Sequence, residues 1–267
     1  MNSSPILVEE ILSVVVPVFN ERKTLGAVVE ALDRLPGLLE IVVVDDCSTD
    51  GTQEEAARLA ALFPRLRVLR HVRNQGKTGA LRTGIAKTRG EIVIIQDADL
   101  EYNPEDIPAV IQPIIEGRAE VVFGSRFLVR KATRVLYYYH YLANKLLTTC
   151  SNLLTNINLT DVESGYKAFR GDILRKMRIE SKGFGFEIEV TAKVAKLGCA
   201  IYEVPISYYG RTYEEGKKIG LMDGVAAMWY IVYFNLFRSL RDSFTTVPDV
   251  HPFAAPASDS EPRRSND

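Results

Sequence analysis

Apolar, largely β-branched runs of strand length recur at Ser13–Phe19, Glu40–Asp45, Arg67–Val72, Glu91–Gln96 and Glu120–Gly124. Runs with so few polar interruptions suit strands covered on both faces. Between them the apolar positions take helical spacing: Leu25, Val28, Val29 and Leu32, then Ala56, Leu59, Ala60 and Phe63, then Ala80, Leu81, Gly84 and Ile85. The second of these segments opens on Thr52 and Glu55, the spacing of a capping box. Strand and helix alternate through the first half of the chain, which predicts an α/β fold with a mostly parallel sheet covered by helices.

The second half is less regular. The pattern predicts a helix over Arg134–Leu154, a short strand over Ser164–Phe169, a helix over Phe186–Leu197 and a strand over Ala200–Tyr208. A very apolar helix follows over about 220–240, where Val225–Phe237 is closed by Arg238 and Arg241. Spanning a bilayer takes about 20 apolar residues, and a shorter run reads as a core or interfacial helix. Trp229, Tyr230 and Tyr233 have the amphipathic character favoured at headgroup depth, so the expectation is an interfacial helix anchored by Trp229 and Phe234, with the Arg134–Leu154 helix beside it. Packing on the sheet, a homodimer interface or a membrane-protein partner are competing uses of the same faces. From Asp242 onward prolines, serines and mixed charges leave little to bury, which predicts one domain over 1–241 and a disordered tail over 242–267.

Composition narrows the function classes. Of 267 residues 46% are apolar, enough for a sizeable core, and a net charge of −1 gives no general attraction to nucleic acid. Cys47, Cys150 and Cys199 form no C-x-x-C pair and cannot all pair within one chain, and the first residues lack the basic start of a secretion signal. Both features point to a reduced, cytoplasmic setting.

In parallel sheets, ligands gather beyond the carboxyl ends of the strands. The expected strands end in Pro17-Val18-Phe19-Asn20-Glu21, Asp45-Asp46-Cys47-Ser48, Arg73-Asn74-Gln75-Gly76-Lys77 and Asp97-Ala98-Asp99. Asp97 and Asp99 lie two apart on an extended run, so both carboxylates are expected on one face, where their repulsion calls for a cation such as Mg²⁺ or Mn²⁺. A lone Asp-x-Asp recurs by chance as a solvated turn, but this one ends a central strand beside three other polar strand ends. Asp45 and Asp46 are open to two uses, capping the turn into the next helix or accepting a nucleobase N–H. Gly76, Lys77 and Gly79 form a glycine-rich entry to a helix, suited to a phosphate but matching no Walker loop. Cations cluster at Arg126, Arg130, Lys131 and Arg134, and again at Arg211, Lys217 and Lys218 in a glycine-flanked loop with the make-up of a lid. His71, His140 and His251 belong to no motif, and no Gly-x-Ser-x-Gly elbow is present.

Together Val16-Pro17-Val18-Phe19-Asn20-Glu21, Val44 to Thr52, Asn74-Gln75-Gly76-Lys77, Asp97-Ala98-Asp99-Leu100-Glu101 and Gly124-Ser125-Arg126-Phe127 resemble, in order, the motifs of glycosyltransferase family 2, particularly the dolichol- and polyprenyl-phosphate hexose synthases. The resemblance implies a GT-A fold and metal-dependent, inverting transfer of mannose or glucose from a GDP- or UDP-sugar to a polyprenyl phosphate. It implies that Pro17, Phe19 and Glu21 border the nucleoside and that Asp45 or Asp46 reads the base, with Lys77 beside the nucleotide. Asp97 then lies near ribose and metal, and Asp99 and Glu101 bind the metal. Arg126 and Arg134 meet the acceptor phosphate, while Arg211 and Lys217 approach the donor phosphates. Phe19 stands where tyrosine is common in the family, and Glu101 where glutamine is common. The implied enzyme docks on the cytoplasmic face of a membrane without crossing it. Two rivals are a family 2 enzyme that glycosylates a hydroxyl, with Glu187 as base, and a non-catalytic nucleotide-binding protein.

Overall fold

The structure, a computed structural model, describes residues 9–128, 137–210 and 221–250. Its strands are β1 (Leu12–Val18), β2 (Leu38–Asp45), β3 (Leu66–Arg70), β4 (Ile92–Ile95), β5 (Val121–Ser125), β6 (Lys167–Arg170) and β7 (Ile201–Pro205). They form one sheet in the order β3-β2-β1-β4-β6-β5-β7. β6 runs antiparallel to β4 and β5, and the other pairings are parallel.

Side chains alternate across the pleat, and here both faces are covered. Val14, Val16 and Val18 of β1 join Ile92 and Ile94 of β4 beneath α1 (Leu25–Asp33), α2 (Thr52–Leu62) and α4 (Ile107–Ile115). Val15, Val93 and Ile95 point the other way, into a second core with α3 (Gly76–Ile85), α6 (Gly171–Lys176) and α7 (Phe186–Leu197). Successive strands step outward from β1 to β3, then resume at β4 on the other side of β1. The crevice of such a sheet opens at this reversal, between the ends of β1 and β4. α3 packs closely on β1 and β2, because a Cβ at Gly84 would come within 2.5 Å of Val15 Cγ1 and 3.1 Å of Val44 Cγ2.

A third, smaller core joins α5 (Tyr138–Thr155) to α8 (Leu221–Leu236) through Leu147, Ala227 and Ile231, with Val162 and Ile188 of α7 beneath. Among the described residues no helix is long and apolar enough to cross a membrane.

Three local expectations are corrected. Thr52 forms no capping box: it is the first residue of α2, and its N–H and hydroxyl both donate to Asp50. The segment 164–166 is a loop rather than strand, since pairing of β6 begins at Lys167. The chain also stays packed beyond Asp242, where a tail was expected. Ser239 caps the short helix α9 (Leu240–Ser243), Phe244 is buried in the second core, and Thr245 N–H donates to Lys176 O. A single large aromatic side chain is enough to anchor a segment otherwise poor in apolar residues. Residues 251–267 lie outside the described residues.

Candidate active site

The loops after β1 and β2 are stitched together by side chains. Asn20 Oδ1 accepts the Thr49 N–H at 2.8 Å, Ser48 Oγ accepts the Asn20 N–H, and Thr52 Oγ1 accepts the Glu21 N–H. This lattice carries Pro17, half-exposed Phe19 and Glu21 along one wall of the crevice. The adjacent aspartates have different tasks. Asp46 is buried and accepts from the N–H groups of Gln75 at 2.8 Å and Gly76 at 2.7 Å, and it pairs with His71 Nδ1 at 2.6 Å. It is thereby a pin for the glycine turn, where Gly76 takes φ +78°. Asp45 Oδ1 accepts the Ser48 N–H, while its buried Oδ2 has no hydrogen-bond partner and lies 3.7 Å from Arg70 Nε. Asp45 thus caps the turn that leads toward α2, as expected of one of the two, although neither aspartate caps the first turn of α2 itself.

β4 ends at Ile95, so Asp97 and Asp99 occupy a turn in which Leu100 has φ +61°, and strand alternation does not set their directions. Gln96 shapes this turn by donating to the carbonyls of Asp97 and Tyr102, and it accepts in return from Tyr166 Oη. Lys77, reaching from the first turn of α3, places Nζ 2.9 Å from Asp97 Oδ1 and 3.0 Å from Glu187 Oε1 on the first turn of α7. Burial pushes the Lys77 pKa down, but Asp97 and Glu187 outweigh it and leave the ammonium well above its ordinary value. Asp99 Oδ1 accepts the Glu101 N–H, and the Glu101 carboxylate accepts from Tyr208 Oη at 2.7 Å.

Across the crevice, Arg126 follows β5 and grips Asp161 with Nε and Nη2, both at 2.7 Å. Asn144 of α5 donates to the same carboxylate, and the guanidinium lies over the Tyr208 ring at 5.1 Å. Arg126 therefore already has a carboxylate partner. Asp161 is held below its ordinary pKa: burial opposes this, but the Arg126 charge and hydrogen bonds prevail.

Two neighbours escaped the sequence reading. Burial and the nearby Glu187 charge push the Glu163 carboxyl up to about 7, and its buried Oε1 has no hydrogen-bond partner. Lys167, fully buried, donates to the carbonyls of Val162 and Ser164; burial pulls it down to about 8. The available signal was the density of charge in Asp161-Val162-Glu163-Ser164-Gly165-Tyr166-Lys167, which is too high for a buried strand. Arg134, Arg211 and Lys217 lie outside the described residues.

Among the described residues no three Asp, Glu, His or Cys side chains converge as a metal cage. Mg²⁺, and Mn²⁺ in similar sites, is commonly held by one or two carboxylates together with waters and substrate phosphates. The hard oxygen donors of Asp97 and Asp99 fit that pattern, and the ammonium against Asp97 marks where this pocket holds positive charge. Glu101, engaged by Tyr208, is the weakest of the three expected ligands.

The comparisons with known proteins agree with this geometry. The family model for glycosyl transferase family 2 matches residues 13–178. The chain is 32% identical over 229 residues to an undecaprenyl-phosphate mannosyltransferase of Micrococcus luteus, covering 80% of this chain and 90% of that protein. It is 30% identical to a polyprenol monophosphomannose synthase of Mycolicibacterium smegmatis, covering 78% and 80% respectively. Glucosyl-3-phosphoglycerate synthase of Mycobacterium tuberculosis, solved with Mg²⁺ and UDP, superposes with a TM-score of 0.66 at 23% identity, over 85% of this chain and 79% of that one. The last likeness concerns the fold alone. A GT-A sheet with acids at its crevice, and a family match across most of it, make this chain a glycosyltransferase belonging to family 2.

Proposed function

We propose that this enzyme transfers a hexose, mannose or glucose, from a GDP- or UDP-sugar to a polyprenyl phosphate, with inversion, while docked on the cytoplasmic face of a membrane. The observation that carries the reading is an apolar surface beside the crevice. Tyr139, Leu142, Leu146 and Leu153 lie exposed along one face of α5, and Met222, Val225, Trp229 and Leu236 along one face of α8, with Phe237 just beyond it. The two helices share a core on their inner sides, so both outer faces are left to solvent. Moving a polyprenyl chain out of a bilayer costs about 0.8 kcal/mol per CH₂, so the enzyme must go to its acceptor. Relatives named as polyprenyl-phosphate mannosyltransferases support the same substrate class.

In this reading Pro17, Phe19 and Glu21 border the nucleoside, and Asp45 offers Oδ2, which faces Arg70 at 3.7 Å but has no hydrogen bond, to a base N–H. Asp97 and Asp99 hold the metal, which when bound neutralises charge gathering on the departing pyrophosphate. Lys77 adds a second positive charge to the pocket, and Arg211 and Lys217 approach the donor phosphates. Arg126, fixed by Asp161, and Arg134 receive the acceptor phosphate. A phosphomonoester with a second pKa of about 6 is largely dianionic at neutral pH and attacks without a general base.

One observation favours a second reading, transfer to a hydroxyl. Glu163, poised to titrate at about 7, suits a base for such an acceptor better than Glu187, which is tied to Lys77. The deciding experiment offers a panel of nucleotide sugars with Mn²⁺ to the enzyme, with either a short polyprenyl phosphate in liposomes or soluble hydroxyl acceptors, and weighs the products. A phosphate-linked sugar is expected; glycosylation of hydroxyls alone would replace the reading. Flotation tests the docking, and Trp229→Ser with Phe237→Ser should weaken it. Phe234, an expected anchor, is buried and is the wrong position for this test.

A further inference from the structure

We infer that Glu187 is a positioning residue that lets a divalent cation reach Asp97, by keeping hold of Lys77 when the cation displaces that lysine; this rests on the metal role given to Asp97 above. The Lys77 ammonium is shared between two carboxylates, 2.9 Å from Asp97 and 3.0 Å from Glu187. A dication and an ammonium at the same partly buried carboxylate repel, because the protein around it screens charge less well than water does. One of them must leave Asp97.

The backbone decides which contact gives way. Thr78, next to Lys77, donates from its N–H at 3.1 Å and from Oγ1 at 2.9 Å to the carbonyl of Gly183, in the loop that leads into α7. The first turns of α3 and α7 are thus tied together, and the Lys77–Glu187 pair travels as a unit. Asp97 sits on a separate turn after β4, leaning on bare backbone: a Cβ at Gly165 would lie 2.8 Å from its Oδ2. The pair with Glu187 is constant, and the pair with Asp97 is exchangeable. Without Glu187 the ammonium has Asp97 alone, and it competes with the cation at full strength.

The test is Mn²⁺ binding to the full chain without nucleotide, read from the electron paramagnetic resonance signal of the free ion, in a double-mutant cycle. Glu187→Gln should weaken Mn²⁺ binding about tenfold, equivalent to about 1.4 kcal/mol. Lys77→Met should tighten it, and adding Glu187→Gln to Lys77→Met should change nothing further. Equal weakening in both backgrounds would show that Glu187 acts through its negative charge alone and would overturn the inference, as would no weakening in either. If the wild-type protein leaves the Mn²⁺ signal undiminished, the bare ion does not displace Lys77 from Asp97 and the inference is overturned, whereas the metal reading itself fails only if chelator also leaves turnover unchanged. Thermal melts check that each variant folds. Should Glu187→Gln not fold, Glu187→Asp keeps the charge with a shorter reach, and its smaller weakening must likewise vanish in the Lys77→Met background.

Discussion

The ends of β2 and β4 both present two acids to the same crevice, yet they are held in opposite ways. At β2, Asp46 is fixed by backbone N–H groups and a histidine, all donated by the segment it organises. At β4, Asp97 is held by the tip of a lysine side chain. Backbone donors cannot leave without unfolding the turn, whereas an ammonium on a flexible stem can. The first arrangement builds a wall and the second leaves a carboxylate available for exchange. Acids of equal prominence in sequence are therefore held with different rigidity, according to whether their partners are backbone groups or the tip of a side chain.

The sharpest way to break this comparison is at Asp46. Asp46→Ala leaves the Gln75 N–H and the buried His71 Nδ1 without their acceptor, while the Gly76 N–H keeps Asn74 Oδ1, a loss of about 2 to 3 kcal/mol. Urea unfolding should report it as a large fall in midpoint. A variant of unchanged stability would put Asp46 in the same exchangeable class as Asp97.

Asp99 should behave in reverse. Asp99→Asn is expected to lower turnover by about 10²- to 10³-fold, the usual size for losing one electrostatic contact to a developing charge, while the urea midpoint stays within error. Chelator added to the wild-type enzyme should have a similar effect. Full turnover in Asp99→Asn, or indifference to chelator, removes the metal from this turn.

These contrasts show where sequence was informative. The strands, the crevice and the phosphate-type turn at Gly76 follow from local spacing, because apolar period and glycine placement act over a few residues. Partners distant in the chain do not follow. Glu187 meets Lys77 across a separation of 110 residues, and Asp161 meets Arg126 across 35. Neither pairing has a periodic signature, and Glu187 looked like a base only while its lysine was unseen. Phe244 was missed for a different reason: one buried ring in a polar segment carries no pattern at all.

The region near β4 is also set apart by a proton. Glu163 has its pKa raised from 4.5 to about 7, so its contribution to stability is fully present below its unfolded value and is lost as pH rises through about 7. Between about pH 5 and about pH 8 the wild-type protein should lose up to roughly 3 kcal/mol from this group. Glu163→Gln, which is always neutral, should flatten that profile and exceed wild-type stability at the alkaline end. Parallel profiles for the two proteins would mean that Glu163 is ionised and paired throughout.

The smallest expected effect is at Asp45, where the β2 wall itself keeps one oxygen in reserve. Oδ1 is committed to the Ser48 N–H, and Oδ2 is buried with the Arg70 charge 3.7 Å away but no hydrogen bond. A buried acceptor left unsatisfied is costly, so a ligand donor at that point gains the difference. Guanine and uracil both offer a ring N–H on the pairing edge, whereas adenine offers a ring acceptor. Asp45→Asn keeps the shape, and its amide oxygen will stay with the Ser48 N–H, which turns the NH₂ toward the base. Binding of GDP or UDP, whichever the enzyme uses, should fall about tenfold by calorimetry, about 1.4 kcal/mol. ADP, which meets a donor in place of an acceptor, should gain relative to both. If the nucleotide affinities all stay put, Asp45 is a strut like its neighbour Asp46, and the two strand ends differ even more than their contacts suggest.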